Sequence, residues 1–441
     1  SDKLPRRFIT EKNRRYLYTT DDAGENQLLV DRYEFLIYRL LRNNLESGDV
    51  FCRHSVRFRS FEDDLLCDQQ RQEKDALIAQ VGLPILAQTA EEHLAELSDL
   101  LETRLKRVNQ RIASGENGHI EIKRGGRWHL PYSRVDEDVN DPFFESLAQV
   151  DIQAIFQFVN RHCRFMNEFS HVLHRYAGRQ TDTRTLIACI LAWGTNMGLG
   201  RMSQTSDIGY QALASTSNNF IRLETLQKAN DVVANAIAHL PIFQHYHIGD
   251  AIHSSSDGQK FETLLHTINA RYSPKYFGLM KGIVAYTLVA NHIPVSARII
   301  GANEHESHYV FDLLYNNPTD IQPAVHSTDT HGANEVNYGI LNFFGYQFAP
   351  RYRDLYDKVN QVLYGFLHPS QYELDWLLRP IRKINEKLII DEWENMQRII
   401  VSLALKTTTQ SIIIGKLSAY ARKNRTKRAL WEYDNIIRSL Y

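Results

Sequence analysis

The chain has 441 residues, enough for two or three domains with substantial cores, and its 43% hydrophobic and 23% charged content is that of an ordinary globular protein. A formal net charge of −1 excludes a global attraction to nucleic acid, so any contact with a polyanion must come from local clusters. Four scattered cysteines, Cys52, Cys67, Cys163 and Cys189, exclude a CxxC zinc ribbon and a disulfide framework, and the absence of long apolar runs and of a GxxxxGK loop argues against a membrane role and a nucleotide cofactor.

Residues 1–245 read as mainly helical. Asp31-Arg32-Tyr33-Glu34 has the form of a capping box opening a helix with Tyr33, Ile37 and Leu40 on one face. Thr89-Ala90-Glu91-Glu92 opens another, whose Leu94, Leu97, Leu101, Leu105, Val108 and Ile112 form a stripe suited to a partner helix. A hairpin is expected from Ile120 to Leu130, turning at Gly125-Gly126. Ile152, Ile155, Phe156, Val159, Cys163 and Met166 then mark a long helix. None of these elements carries chemistry, and the region reads as scaffold.

From about residue 250 the pattern becomes mixed. A strand around Ser254 to Asp257 is followed by Gly282 to Ala290, β-branched and apolar as a central strand should be. A turn at Asn291-His292 leads into Val295 to Ile300. Glu306 to Asn317 reads as helix, Ala324 to Thr328 as strand, Ala333 to Phe344 as helix and Tyr346 to Ala349 as a short strand. The order β-β-β-α-β-α-β is that of an RNase H-like fold. Residues 353–415 read as an all-helical insertion, too long for a simple connection. The expected fold is therefore multidomain α+β, with a mainly helical region over 1–245 and an RNase H-like α/β domain over 246–441. The chain starts at Ser1 and stops at Tyr441 inside a helical pattern, as a piece of something longer would.

Three acids stand where such a fold gathers carboxylates: Asp257 on the first strand, Asp329 ending the fourth, and Glu432 on a late helix. Mg²⁺ takes carboxylate and phosphate oxygens, and two such ions about 4 Å apart stabilise both oxygens of an in-line phosphoryl displacement. Each acid also has a plain reading. Asp257-Gly258 is a turn dipeptide, Thr328, Asp329 or Thr330 suits a helix cap, and Glu432 suits a solvated helix face, with Asp434 as its nearest rival. The histidines His326 and His331 flank Asp329 as supporting groups, with a core or capping role as the alternative. His245, His247, Asp250 and His253 have a spacing open to zinc, a weaker signal.

The words around these acids are more specific. Ser254-Ser255-Ser256-Asp257-Gly258-Gln259, Asn269-Ala270-Arg271-Tyr272-Ser273-Pro274-Lys275-Tyr276-Phe277-Gly278, Ala302-Asn303-Glu304-His305-Glu306, His326-Ser327-Thr328-Asp329-Thr330-His331-Gly332 and Phe344-Gly345-Tyr346-Gln347-Phe348-Ala349-Pro350-Arg351 closely resemble the catalytic segment of the Tn-three family of replicative DNA transposases. Trp128-His129-Leu130-Pro131-Tyr132 extends the resemblance into the helical region. It implies that Asp257, Asp329 and Glu432 form a DDE triad holding Mg²⁺, with Mn²⁺ as a substitute. It also implies cleavage at transposon ends, transfer of the freed 3′-OH to target DNA, a homodimer, and a bacterial cytoplasmic location at the nucleoid. The helical region would then supply dimer surface and the wall of a DNA channel. Family members are longer, and the region that recognises the inverted repeats has no counterpart here.

Arg422, Lys423, Arg425, Lys427 and Arg428 precede Glu432, and Arg271, Lys275 and Arg351 lie inside the words above. Beside a phosphodiester site they read as phosphate contacts that position a duplex, although a solvated helix face explains any one run equally well. Two further classes stay open: a transposase remnant that binds DNA or a partner subunit without catalysis, and an RNase H-like nuclease that cuts without joining.

Overall fold

The computed structural model describes all residues except 1–3, 21–23, 68–72, 132–141, 177, 179–180, 265–266, 408 and 420–423. Arg422 and Lys423 therefore lie outside the described residues, as does Tyr132. The chain forms two compact units: Ser1–Asp99 with Ile384–Ile436, and Leu100–Lys383 with Ile437–Tyr441. The divide does not follow residue 245, because residues 384–436 pack with the first 99.

In the first unit the Trp393–Ala404 helix anchors that packing. Gln397 donates to the Leu86 carbonyl, Arg398 donates twice to the Leu66 carbonyl, and Leu66 N–H donates to Ser402 Oγ. The Val30–Ser47 helix buries Tyr33 and Leu36 against Leu17 and Leu28. Its expected capping box does not form: the cap is Leu29, two residues before Asp31 and without a side-chain bond, and Ile37 is exposed. The second box does form. Thr89 N–H donates to the Glu92 carboxylate at 3.1 Å and Glu92 N–H to Thr89 Oγ1 at 3.2 Å, starting the Ala90–Ala113 helix.

In the second unit, helices Ile152–Cys163, Thr183–Gly194, Tyr210–Phe220 and Leu223–Ala238 surround a core of Phe165, Met166, Leu186, Ile187, Phe220 and Ala229. The first of them stops at Cys163 because Arg164 turns left-handed at φ 55°, which places Met166 in a separate 3₁₀ turn. The hairpin pairs Glu121–Ile122 with Trp128–His129 around Gly125 and Gly126, both at positive φ.

Six strands make the main sheet: the two-residue strand Arg271–Tyr272, which pairs antiparallel with Lys281 and Gly282, and five others, β1 (His253–Glu262), β2 (Lys281–Ala290), β3 (Ile293–Gly301), β4 (Val325–Thr328) and β5 (Gln347–Phe348). Their spatial order is β3-β2-β1-β4-β5. The first three pair antiparallel, and β1, β4 and β5 run parallel. Alternation sets the faces: Gly282, Val284, Tyr286, Leu288 and Ala290 of β2 are buried, and the residues between them only half so. The β2–β3 turn puts both Asn291 and His292 at positive φ, the backbone that suits a two-residue hairpin. The helix expected after β3 is shorter, a 3₁₀ turn at Glu306–His308 followed by Val310–Tyr315. Residues 353–415 are not all helical, since Tyr364–Gly365 pairs with Arg382–Lys383 as two short parallel strands. That stretch is also split between the two units at Lys383.

Candidate active site

Register brings two of the three acids together. In the parallel pairing of β1 with β4, Ser254 lies opposite His326, Ser255 opposite Ser327 and Ser256 opposite Thr328. Asp257 and Asp329 each follow the last of these pairs, so they stand side by side where β4 ends. Adjacent strands are about 4.8 Å apart, and laterally paired residues share a face. Asp257 projects with Ser255 and Gln259 from the exposed face of β1, and its Oδ1 accepts from Gly258 N–H at 2.8 Å. Among the described residues it takes part in no ion pair.

Asp257-Gly258 is not a turn; both residues lie mid-strand, opposite Thr287 and Tyr286. Glycine is needed for another reason. A Cβ at residue 258 would lie 2.3 Å from Glu306 Oε1, so the Glu306 carboxylate occupies the space a side chain would fill. Glu306 is held there by Lys260, whose Nζ donates to its Oε1 at 3.0 Å. Burial works against the Lys260 ammonium, but the hydrogen bond and charge of Glu306, with Tyr276 and Asp257, raise its pKa on balance.

Asp329 is half-buried and begins a tight turn rather than a helix. Gly332 N–H donates both to its carbonyl and to its Oδ1, at 3.2 and 3.1 Å. A Cβ on Gly332 would collide with Thr328 Cβ at 2.4 Å, so this turn also requires glycine. The following helix starts only at Asn337, where Asn334 Oδ1 accepts from Val336 and Asn337 N–H, so none of Thr328, Asp329 or Thr330 caps it.

Beneath the pair, on the opposite face, His326 is fully buried between two serines of β1: Nδ1 lies 2.8 Å from Ser254 Oγ and Nε2 2.9 Å from Ser256 Oγ. Ser256 Oγ also meets the Tyr286 hydroxyl at 2.7 Å. Burial, with the nearby His253 ring, pulls the His326 pKa down to about 3, so the ring is a neutral bridge between strands. Of the roles expected for His326, the core one describes its surroundings: it sits beneath the sheet face and ties β1 to β4. Burial raises the Tyr286 hydroxyl, Ser256 opposes this, and the charges of Glu306, Asp257 and Asp329 add to it. Residue 331 lies in the 3₁₀ turn Thr330–Gly332, and the His331 side chain is outside the described residues.

Glu432 belongs to the other unit, on the Arg425–Leu440 helix. It is not a solvated position: it is 8% exposed, its Oε2 accepts from Asn385 N–H at 3.2 Å, and its rival Asp434 is fully buried. The basic run before it is also altered. Lys427 is 1% exposed, donates to the Ser47 carbonyl and lies over the Phe61 ring, so the fold withdraws it from phosphate contact. Arg425 is exposed and ion-paired to Asp391 and Glu392, while Arg428 is exposed. Arg271, Lys275 and Arg351 are exposed as well.

Among the described residues no group of three or more His, Cys, Asp or Glu is arranged to hold a metal ion, and His253 bonds Ser327 Oγ instead of joining a zinc site. The carboxylate oxygens of Asp257 and Asp329 are nonetheless the donor type that a hard divalent cation takes. Sequence reasoning missed Glu306 and Lys260. The signal for Glu306 was present, since it closes one of the distinctive words, but nothing in that word links it to Gly258.

Residues 154–441 match the Tn3 transposase DDE domain. The chain is 27% identical to the transposase for transposon Tn1546 of Enterococcus faecium, over 100% of this chain and 44% of that protein. It is 29% identical to the transposase for transposon Tn2501 of Escherichia coli, over 99% and 43% of the two chains. With the transposase for transposon Tn501 of Pseudomonas aeruginosa the identity is 28%, over 93% and 41%. The chain thus spans less than half the length of these relatives. With a match that takes in the strands carrying both aspartates and the helix carrying Glu432, the chain belongs to the Tn3 transposase family.

Proposed function

We propose that this chain carries the DNA-cleaving and DNA-joining centre of a replicative transposase, with Asp257, Asp329 and Glu432 as its acids. The observation that carries the reading is the β1–β4 register, which sets Asp257 beside Asp329 at a strand end. The sheet order β3-β2-β1-β4-β5, with β1, β4 and β5 parallel, supports an RNase H-like domain around them. Asp257 and Asp329 offer oxygens from two adjacent strands, and Glu432 offers a third carboxylate.

Mg²⁺, with Mn²⁺ as a substitute, would when bound lower the pKa of water and stabilise the entering and leaving oxygens. The chain's own groups orient the phosphodiester: Arg271, Lys275, Arg351, Arg425 and Arg428, with Arg422 and Lys423, neutralise backbone phosphates and position the strand. In cleavage, water oxygen bonds to phosphorus, the bond to the 3′ oxygen breaks, and that oxygen leaves as a 3′-OH. In joining, this hydroxyl attacks a target phosphodiester and displaces the target's own 3′ oxygen, giving a branched joint that replication from the displaced 3′-OH converts into a cointegrate. A second copy of the chain, transposon ends and target DNA are the partners in this reading, in a bacterial cytoplasm.

The test uses Asp257→Ala. Nicking, and joining of a pre-cut 3′-OH end to plasmid, should fall by about a thousandfold or more, the effect of losing several kcal/mol of charge stabilisation. Binding to nicked DNA should persist. Iron-mediated cleavage of the polypeptide should map to the segments holding Asp257, Asp329 and Glu432, and vanish in the variant. Equal activity in variant and parent removes Asp257 from the mechanism. Nicking without joining selects the nuclease, and binding with neither reaction selects the remnant.

A further inference from the structure

Between β1 and β2 the chain builds a small lobe whose composition is unlike the rest of the molecule. Residues 260–281 contain four cations, Lys260, Arg271, Lys275 and Lys281, against one carboxylate, Glu262, in a chain that is otherwise nearly neutral. Two tyrosines face outward among them: Tyr272 is 57% exposed and Tyr276 47%. Ammonium groups flank both rings. Lys260 and Lys275 lie 4.7 and 4.9 Å from the Tyr276 centroid, and Lys281 lies 5.0 Å from that of Tyr272. Leu279, 93% exposed, extends the apolar surface beside them.

The lobe is seated on the sheet at two glycines. A Cβ on Gly282 would lie 2.2 Å from Phe277 Cε2, and one on Gly301 would lie 2.8 Å from Arg271 Cγ. Arg271 also donates to the Ile268 and Ala270 carbonyls. These contacts fix the rings relative to β1, where Lys260 follows Asp257 by three residues, about 10 Å along the strand and on its opposite face.

Half-exposed tyrosine rings with ammonium groups over them suit an unstacked base and its phosphate: Lys275 and Lys281 move from the rings to the backbone, and the ring faces they leave stack on the base. A second copy of the chain would need the apolar side chains but gains nothing from clustered like charges. We propose that Tyr272 and Tyr276, with Lys275 and Lys281, form a stacking platform for an unpaired nucleotide of the DNA on which the Asp257–Asp329 pair acts, with Lys260 tied to Glu306 beneath Tyr276. This rests on the reading that the chain acts on DNA.

The experiment compares two fluorescently labelled DNAs at one salt concentration, a blunt duplex and the same duplex with a single-stranded 3′ tail of about five nucleotides. Tyr276→Ala should weaken binding to the tailed DNA by about five- to a hundredfold and leave the blunt duplex within about twofold of the parent. Tyr276→Phe should restore tailed binding, because stacking needs the ring and not the hydroxyl. A 2-aminopurine in the tail should be quenched by the parent and by Tyr276→Phe, and not by Tyr276→Ala. Equal loss on both DNAs, or no loss on either, overturns the platform while leaving DNA binding intact. A change in oligomeric state without a change in tailed binding overturns it in favour of a protein interface. A parent chain that binds neither DNA overturns the proposed function itself, and the platform with it.

Discussion

Asp257 projects from the exposed face of the sheet beside Asp329, whereas the acids of the C-terminal helix, Glu432 and Asp434, are 8% and 0% exposed. The same contrast holds for the cations. Lys275 and Arg271 in the sheet unit face solvent, but Lys427 on the helix is sealed against Ser47 and Phe61. A charged side chain at a strand end can stay hydrated and free to bind, since the sheet needs only alternate residues for its core. The Arg425–Leu440 helix is packed on several sides, so the charged residues on those sides are recruited as internal hydrogen-bonding partners, and only an edge that carries Arg425 and Arg428 stays exposed. Sign and spacing in the sequence are alike in the two regions, and what differs is desolvation.

The buried side of the sheet gives the largest effect on stability. His326 stays neutral in the fold down to about pH 3, while an exposed imidazole titrates near 6.5. Between these values the unfolded chain binds more protons, so this contribution is complete above pH 6.5 and is lost as the pH falls toward 3. The loss should reach the order of a few kcal/mol. Urea unfolding of the parent should show it, and His326→Gln should be less stable near neutrality but show a flatter decline in acid. His93, whose pKa is lowered by burial against the opposing charge of Glu96, adds a slope of the same sign in both proteins. Parallel acid profiles for parent and variant would show that the imidazole is not the bridge between β1 and β4.

Lys427 sharpens the contrast within one helix. Burial, opposed by Asp49 and reinforced by Lys416, lowers its pKa. Lys427→Ala should destabilise by about 2–4 kcal/mol, through lost packing over Phe61 and an unpaired Ser47 carbonyl. Arg428→Gln, one residue on and exposed, should change stability by no more than about 0.5 kcal/mol. Thermal unfolding of the two variants decides the matter, and similar melting temperatures would place Lys427 at the surface.

Much of the sheet was legible because its strands are apolar runs punctuated by turn residues, and turn residues announce themselves locally. The aspartates were legible as words, and the register that joins them follows from strand order. Gly258 was misread because the dipeptide rule sees only the chain, while the cause is a carboxylate 48 residues later, Glu306, pressing on its Cα. The Asp31 box failed where the Thr89 box formed, since Leu29 already caps that helix two residues before Asp31. Lys427 was illegible for a similar reason: its partners, Ser47 and Phe61, lie hundreds of residues away, and periodicity does not say how many faces of a helix are covered.

The smallest expected effect falls on Arg428, the member of the basic run that is exposed and, among the described residues, without an ion pair. If it touches a DNA phosphate, Arg428→Gln should weaken binding to unrelated duplexes alike and reduce the slope of log affinity against log salt by roughly 0.9. Arg425→Gln should do less, because its guanidinium is already shared with Asp391 and Glu392 and would have to leave them to reach a phosphate. Lys427→Met, which keeps the side-chain volume, should leave the slope unchanged, since a buried ammonium releases no counterion from DNA. Titrations at several salt concentrations separate the three. A reduced slope for Lys427→Met would mean that the helix opens to bind DNA, and the contrast between sheet and helix would then describe the free protein alone. An unchanged slope for Arg428→Gln, with binding otherwise intact, would leave phosphate contact to Arg271, Lys275 and Arg351 in the sheet unit, where the exposed charge already lies.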